Sequence, residues 1–487
     1  MAACTRLFAI RRFACRILAP LVLLAGSAGL AQETNEETLA YFRRDRGLSS
    51  EPARLPAKFD DSELLWRTPL PPGNSTPCLA GGKLYVTTWN AEAKELATVS
   101  VDARTGRILW TQAAPMRSLE AFHPTGSPAS SSPACDGRQV YAFFGSYGML
   151  CYDLYGKLVW AKELGPFQDE FGAASSPILV DGKVILNEDH DVNSFLMAID
   201  PRDGTTIWRT ERAEFARSYS TPVVVRANGK AQVVVAGSLQ LAAYDPADGR
   251  KVWWVNGLSR IVDTTPLVTA DRLYLATWTP GGDPDARITM PLFSETLQMH
   301  DRNGDNLVGE EELPEGEVRQ RFFRMDTNQD KQLDELEWRR YAEIFSRAEN
   351  VAMAIELGGE GDVTDTHVKW IHQRGLPTVS SPALYDGVLY MAKDSGILTT
   401  LDAATGQMIK QGRLAGRGNY FSSLVAGDGK VYATSESGVM TIVRAGGSWE
   451  VLGSHDFGER IMATPVLHDQ RMYLRTDAAL YCFGVAR

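Results

Sequence analysis

Short apolar segments alternate with turns along this chain, and the same order of segments returns eight times. Each copy opens on a serine or threonine, and a run of apolar and β-branched residues follows. Proline comes directly after the hydroxyl residue in seven of the eight copies. The copies open at Thr76-Pro77, Ser132-Pro133, Ser176-Pro177, Thr221-Pro222, Thr265-Pro266, Ser381-Pro382, Ser423-Leu424 and Thr464-Pro465. A unit of this size that recurs along a chain predicts a repeat architecture.

The copy that opens at Ser176 illustrates the structure expected of each repeat. Asp181-Gly182 is a hairpin signal between two apolar runs, and Asp203-Gly204 is a second turn signal before a further apolar run. The pattern therefore predicts four antiparallel strands per repeat. Such a sheet buries both of its faces only by stacking on neighbouring sheets around an axis. The expected fold is all-β, an eight-bladed β-propeller of four-stranded antiparallel blades.

The two ends of the chain are expected to share one blade. The repeat that opens at Thr464 lacks a fourth strand before the chain ends, whereas an extra apolar segment, residues 64–68, precedes the first repeat. We therefore predict that this segment completes the last blade. Closing a propeller in this way removes the free sheet edges at which chains aggregate.

A second phrase, Asp-x-x-[Thr/Asp]-Gly-x-x-x-Trp, ends most of the repeats. It is found at residues 102–110 and 245–253, and it is one residue shorter at 153–160. Over residues 62–287 and 351–487 this pattern resembles the PQQ-like repeat family of eight-bladed propellers. That family includes quinoprotein alcohol dehydrogenases and an outer-membrane-assembly lipoprotein. The resemblance implies the fold and leaves the function open.

Residues 288–350 interrupt the repeats and carry two acidic segments of twelve residues. Each segment has side-chain oxygens at positions 1, 3 and 5, a backbone carbonyl at 7 and glutamate at 12, which is the ligand order of a calcium loop. The segment resembles an EF-hand pair, a small α-helical insertion. The predicted Ca²⁺ ligands are Asp301, Asn303, Asp305, Leu307, Glu312, Asp326, Asn328, Asp330, Gln332 and Glu337.

The two loops differ at position 6, where EF-hands usually have glycine. Asn306 tolerates the left-handed conformation required there, whereas Lys331 pays about 1 kcal/mol for it, so the first loop is expected to bind more tightly. Val308 and Leu333 at position 8 are expected to pair in a short β-contact. A dockerin-like calcium module and a solvated acidic segment without metal are the alternatives.

Five arginines precede the openings of five repeats, where the loops of a propeller approach one mouth of its axial channel. They are Arg217, Arg260, Arg374, Arg417 and Arg460. Converging guanidinium groups favour an anionic ligand held through its carboxylate or phosphate. The alternative is that each arginine pairs with a nearby acid such as Asp263 and joins neighbouring blades.

The chain shows no catalytic constellation. The polar run at residues 187–191 is expected to be a solvated loop. The resemblance implies PQQ, but the quinoprotein dehydrogenases are associated with a disulfide between adjacent cysteines, and this sequence has no such pair. The cysteines beyond residue 31 are expected to be buried thiols. PQQ is thus implied by the resemblance and supported by no residue pattern.

The charge and the first residues bear on location. A net charge of −10 argues against a nucleic-acid partner. Residues 1–31 have a basic start, an apolar stretch too short to span a membrane and a small-residue cleavage site near Ala31, as in a signal peptide. Residues 32–61 form an N-terminal extension. The protein is therefore expected in the periplasm or outside the cell.

The sequence supports one functional hypothesis and leaves two others open. The first is a noncatalytic binding or assembly scaffold with a protein partner or a small anionic ligand. The alternatives are a PQQ-dependent quinoprotein-type oxidoreductase and a calcium-responsive switch in which the insertion gates the mouth of the propeller. No pattern in the chain indicates an oligomeric state.

Overall fold

The computed structural model describes residues 39–50, 54–227 and 229–484. Within them, eight four-stranded antiparallel blades follow one another in chain order, which confirms the predicted all-β propeller. From the innermost to the outermost strand, the blades are: blade 1, Cys78–Ala80, Lys83–Asn90, Glu95–Asp102, Ile108–Ala113; blade 2, Ala134–Cys135, Gln139–Phe144, Gly148–Asp153, Leu158–Glu163; blade 3, Ile178–Val180, Lys183–Glu188, Phe195–Ile199, Thr206–Glu211; blade 4, Val223–Ala227, Lys230–Gly237, Gln240–Tyr244, Lys251–Asn256; blade 5, Leu267–Val268, Arg272–Thr277, Val351–Glu356, Val368–His372; blade 6, Ala383–Tyr385, Val388–Lys393, Ile397–Asp402, Met408–Arg413; blade 7, Val425–Gly427, Lys430–Thr434, Val439–Arg444, Glu450–Asp456; blade 8, Val466–His468, Arg471–Arg475, Ala479–Gly484, Leu64–Pro69.

Blade 8 is built from both ends of the chain, as predicted. Its outermost strand, Leu64–Pro69, pairs antiparallel with Ala479–Gly484, and Trp66 is opposite Cys482. Blade 4 gains a fifth strand, Gly361–Asp362, which runs parallel to its outermost strand and covers that edge.

The hydroxyl residues that open the repeats join neighbouring blades around the axis. At seven of the eight blade junctions, the backbone N–H of one opening residue donates a hydrogen bond to the side-chain hydroxyl of the next, over 2.9 to 3.1 Å. The bond from Thr464 to Thr76 closes the circle at 3.1 Å. Since these groups are buried, loss of a hydroxyl would leave an N–H unpaired. The repeated serine or threonine is thereby explained, and we call these eight residues the hydroxyl ring.

A tryptophan on the outermost strand links many blades to the next. Trp66 donates from Nε1 to the carbonyl of Ala103 at 3.2 Å, and its indole packs on the turn glycine Gly106 of blade 1. A Cβ at Gly106 would lie 2.7 Å from the indole, and the φ of this residue is +75°. Only glycine suits such a position. Equivalent contacts, with a backbone carbonyl and a turn glycine of the next blade, are made by Trp110, Trp160, Trp208 and Trp370.

The insertion replaces the turn between two paired strands of blade 5. It contains helices α1 (Phe293–His300), α2 (Phe322–Met325) and α3 (Glu335–Arg347), two 3₁₀ turns (Glu310–Glu312 and Arg319–Arg321), and a short antiparallel pair of strands, Val308–Gly309 with Gln332–Leu333. Helix α4 (Thr364–His367) follows, next to the outermost strand of blade 5.

The insertion packs against the propeller through its own apolar core. The buried face of α3 includes Trp338, Tyr341 and Phe345, as its helical apolar spacing predicts. The same apolar cluster contains Ala216 and Leu239 of the propeller. The insertion therefore packs on the connection between blades 3 and 4 and on a hairpin turn of blade 4. Within the described ranges, no helix has the length and apolar character needed to span a membrane.

Residues 39–50 cross the axial channel on the side away from the insertion. Ala40 pairs with Cys135 of blade 2, and Leu48 pairs with Ala426 of blade 7. The buried side chain of Arg43 fixes the crossing, because its guanidinium donates to the carbonyl of Pro382 at 2.6 Å and to that of Leu424 at 3.1 Å. We call this stretch the plug segment. It closes one end of the channel.

Candidate ligand-binding site

A cavity of about 450 Å³ lies on the axis of the propeller. All eight members of the hydroxyl ring line it, and Phe42 of the plug segment contributes to its wall. The insertion supplies Arg321 and Arg324, and the connection between blades 4 and 5 supplies Arg260 and Asp263. We call this space the axial cavity. Its size lies in the usual range for a site that holds a small molecule.

The structure separates the five arginines that the sequence placed at one mouth. Of these five arginines, only Arg260 lines the axial cavity. Arg217 is buried and donates to Asp191 at 2.6 and 2.8 Å, and also to Glu170. Arg460 pairs with Glu436 at 2.8 Å, while Arg374 and Arg417 are exposed. The alternative of pairing between blades thus describes Arg217 and Arg460.

Two cavity arginines escaped the sequence analysis because they belong to the insertion. Arg324 donates to both oxygens of Glu170, at 2.9 and 3.1 Å, and Arg321 pairs with Glu317. The only sequence signal is a group of arginines at residues 319–324 inside an otherwise acidic segment. No local pattern indicates that this group faces the channel, since the approach depends on how the insertion packs on blade 4.

Arg260 is the cavity arginine that lacks an acidic partner. Its side chain is buried, and its Nε donates to the carbonyl of Pro280 at 3.1 Å. In the described part of the chain, no carboxylate lies within 4.0 Å of its guanidinium. Burial lowers the pKa of Arg260 to about 10, with a further lowering from the positive charges of Arg324, Arg321 and Arg217. A bound anion would relieve this cost by pairing with the guanidinium.

Asp263 lines the same cavity and is also without a partner. Its Oδ1 is buried and makes no hydrogen bond to any residue in the described ranges. Burial raises the pKa of this carboxyl to about 7, although the charge of Arg260 lowers it. Among the described residues, no arginine forms with Asp263 the ion pair that the sequence suggested as an alternative.

The polar run at residues 187–191 is buried, so the expectation of a solvated loop is wrong. All five of its side chains are among the least exposed in the protein. Asp189 accepts from Arg212 at 2.7 and 2.8 Å. His190 lies between the carboxylates of Asp169, at 3.3 Å, and Glu188, at 3.1 Å.

This buried network carries its charge in fixed pairs. Burial alone lowers the pKa of His190, but the carboxylates of Asp169 and Glu188 raise it to about 10. The ring also stacks on Phe167 with a centroid distance of 4.2 Å. An imidazolium held between two carboxylates joins blade 3 to the preceding loop. Because Tyr219 of the cavity wall donates to Asp169 at 2.6 Å, the network also supports the axial cavity.

The two predicted calcium loops share a hydrogen bond between positions 1 and 6. Asp301 and Asp326, at position 1, accept from the backbone N–H of Asn306 and Lys331, at 3.1 and 2.9 Å. The φ of these position-6 residues is +62° and +67°, which is the conformation that a calcium loop requires. The loops are joined because Val308 pairs with Leu333.

The glutamates at position 12 of both loops accept hydrogen bonds from backbone N–H groups. Glu312 accepts from Arg302 and Gly309, each at 2.9 Å, and Glu337 accepts from Thr327 at 2.7 Å. Among the described residues, no three His, Cys, Asp or Glu side chains converge as a metal site. The loops do offer an all-oxygen donor set, and none of their acids forms an ion pair with a described base. The residues therefore fit Ca²⁺, whose binding remains a prediction.

Comparison with known proteins assigns the chain to a family. The family model described as "Outer membrane protein assembly factor BamB" matches residues 31–193, 192–290 and 355–486. The chain belongs to this family of PQQ-like propellers. The family match omits residues 291–354, so the insertion is an addition to the shared pattern.

Curated relatives and a solved structure agree with this assignment. Quinoprotein alcohol dehydrogenase PedH of Pseudomonas putida is 26% identical over 156 residues, 29% of this chain and 24% of that protein. Outer membrane protein assembly factor BamB of Moranella endobia is 24% identical over 202 residues, 41% of this chain and 47% of that protein. The chain thus spans less than half of each relative. The structure of BamB from Moraxella catarrhalis matches with a TM-score of 0.54 and 11% identity, covering 86% of this chain and 99% of that one; this likeness shows the fold alone.

Proposed function

We propose that this protein is an exported, noncatalytic binding scaffold that holds a small anionic ligand in its axial cavity. The observation that carries the proposal is Arg260, a buried guanidinium that faces the cavity without an acidic partner. Burying a charge is costly unless the charge is paired, and a carboxylate or phosphate can accept two parallel hydrogen bonds from a guanidinium. Membership of a family named for outer-membrane-protein assembly supports a scaffold with protein partners outside the cytoplasm.

Titration calorimetry with inorganic phosphate and with acetate tests this proposal. We expect binding to the unmodified protein and at least a tenfold loss of affinity in Arg260→Gln, because the unpaired guanidinium supplies the main attraction. Arg374→Gln is the matched control, since that arginine is exposed and outside the cavity. Absence of binding by both anions, or an equal loss in the two variants, would contradict the proposal.

A quinoprotein-type oxidoreductase is the second candidate, and its support is the similarity to PedH. The sequence has no adjacent cysteines, and the four described cysteines are buried and unpaired. The cavity offers positive charge to a carboxylated cofactor through Arg260, but the residues around it do not reproduce the disulfide associated with PQQ in such enzymes. Dye-linked dehydrogenase turnover with added PQQ and calcium, if observed, would refute the noncatalytic scaffold and support the oxidoreductase.

We further propose that the insertion binds Ca²⁺ and that the second loop responds to the cavity. Arg324 of the cavity wall is two residues before Asp326, the first ligand of that loop. Arg324 donates to Glu170 of the propeller. Two residues before Glu170, Gln168 donates to the carbonyl of Thr327 in the loop at 3.2 Å. The loop and the cavity wall are thereby joined through two contacts with the same segment of the propeller. This connection supports the calcium-responsive alternative.

Calcium and phosphate titrations of two matched variants test the loops. Glu312→Gln and Glu337→Gln should each weaken one calcium site strongly, because the glutamate at position 12 supplies two oxygens. Calcium should change the phosphate affinity of the unmodified protein, and reciprocally. We expect this coupling to disappear in Glu337→Gln and to persist in Glu312→Gln. No calcium uptake at millimolar concentration would refute the metal site, and equal coupling in both variants would refute the special role of the second loop.

The location of the protein is also part of the proposal. The predicted signal peptide, residues 1–31, lies outside the described residues, as do residues 32–38 of the predicted extension. Export is supported by the basic and apolar order of that segment and by the family assignment. We therefore place the scaffold in the periplasm or outside the cell.

A further inference from the structure

The axial cavity contains two opposite charges that do not pair with each other. Arg260 and Asp263 belong to the same connection between blades 4 and 5, and both line the cavity. No ion pair within 4.0 Å joins them in the described structure, and Oδ1 of Asp263 is left without a hydrogen bond. Buried charges are normally paired or hydrogen-bonded. A guanidinium and a carboxyl that line one cavity without pairing leave room for a ligand that contacts both.

We propose that the axial cavity binds a small zwitterion with an aromatic side chain, an aromatic amino acid or a close analogue, with its carboxylate on Arg260 and its ammonium group on Asp263. The inference rests on the anion-binding function proposed above and specifies the class of ligand. A ligand that carries only an anionic group would leave Asp263 unpaired. A ligand with both groups satisfies the two residues together.

The remaining walls of the cavity favour an aromatic side chain. Phe42, Phe171, Tyr219, Phe421 and Met462 line the cavity in addition to the hydroxyl ring. Offset or edge-to-face packing of an aromatic ligand on such rings adds to the burial of its apolar area. The volume of about 450 Å³ is large enough for an amino acid of this size.

The charges around Asp263 give the proposal a pH dependence. Arg260 and Arg217 favour the ionised carboxylate, whereas burial and the carboxylates of Asp169 and Asp394 raise the pKa, to about 7. The ammonium group of a ligand requires the ionised form. Affinity for an amino acid should therefore rise between pH 6 and pH 8. Affinity for the corresponding simple acid should not rise, because that ligand makes no use of the Asp263 charge.

Three matched probes test the inference on the unmodified protein. L-phenylalanine carries both charges, 3-phenylpropionate carries only the carboxylate, and phenethylamine carries only the ammonium group. We expect calorimetry at pH 8 to give L-phenylalanine at least a tenfold advantage over 3-phenylpropionate and no detectable binding of phenethylamine. Since no substitution is involved, the comparison does not depend on the folding of a variant.

Two substitutions then assign the contacts. Asp263→Asn should lower the affinity for L-phenylalanine to that for 3-phenylpropionate and leave the latter unchanged or tighter. Arg260→Gln should weaken both acids at least tenfold, and thermal unfolding would verify that each variant is folded. Equal binding of the two acids in the unmodified protein would overturn the zwitterion inference while the anion site stands. If phosphate, acetate and both acids all fail to bind, the proposed function itself is overturned.

Discussion

Deletion of residues 32–70 is expected to destabilise the entire propeller. The deleted stretch contains Leu64–Pro69, which fills the open edge of blade 8, and Phe59, whose ring lies 5.2 Å from that of Phe483. It also contains Trp66, which joins blade 8 to blade 1. Removing a single large buried aromatic side chain costs about 3–5 kcal/mol, and this deletion removes the buried Phe59 together with the half-buried Trp66 and a whole strand of blade 8. We expect a fall of at least about 10 °C in the melting temperature.

A shorter deletion separates closure of the ring from closure of the channel. Removing residues 32–50 deletes the plug segment but retains the strand of blade 8 and Phe59. This control should lose less stability than the longer deletion, because every blade keeps four strands. Size-exclusion chromatography should show self-association only after the longer deletion, since that one exposes a sheet edge. A protein lacking residues 32–70 that keeps its melting temperature would disprove closure by the N-terminal strand.

The sequence predicts the fold because its strongest signals are local and repeated. The opening serine or threonine, the hairpin turns and the tryptophan each recur at fixed positions, so eight weak signals support one architecture. The structure adds a reason for the first of them. The hydroxyl of Ser132, for example, accepts a hydrogen bond from the backbone N–H of Thr76. The opening residue of each repeat therefore needs a hydroxyl to bond to the opening residue of the neighbouring repeat.

The candidate site is less predictable because it depends on contacts between distant segments. Arg217 was predicted to lie at the channel mouth, but it pairs with Glu170 and Asp191, which are 47 and 26 residues away in sequence. Arg324 reaches the cavity only because the insertion packs on blade 4. Periodicity gives the face of a strand and contains no information on which loop covers its end. The selection of Arg260 from five similar arginines therefore required the structure.

The polar run at residues 187–191 illustrates the same limit. A sequence of amide, carboxylate and imidazole side chains after a strand resembles a solvated turn. It is buried here because Arg212, 23 residues later, neutralises Asp189, and because Asp169 and Glu188 both contact His190. Burial of polar residues becomes acceptable when every charge has a partner. Apart from Glu188, these partners lie in other segments of the chain, so the run alone could not indicate its own burial.

Substitution of Arg212 by alanine is expected to cause the largest loss of stability from a single residue in this network. Its guanidinium is fully buried, forms two hydrogen bonds with Asp189, and donates to the hydroxyl of Tyr244. It also packs over the ring of Phe215 at 3.9 Å. Removing one partner of a buried ion pair leaves an uncompensated charge, which costs about 3–5 kcal/mol. Chemical denaturation of Arg212→Ala should show a loss of this size.

Two further variants establish whether the loss comes from the unpaired charge. Arg202→Ala removes an exposed arginine that pairs with Asp200 in the same blade, and it should leave the denaturation midpoint unchanged because solvent already screens that pair. Combining Arg212→Ala with Asp189→Asn should recover part of the lost stability, since the stranded carboxylate is removed as well. If Arg212→Ala unfolds at the same denaturant concentration as Arg202→Ala, the buried pair does not stabilise blade 3. If the double variant is less stable than Arg212→Ala, packing and hydrogen bonds, rather than the unpaired charge of Asp189, account for the loss.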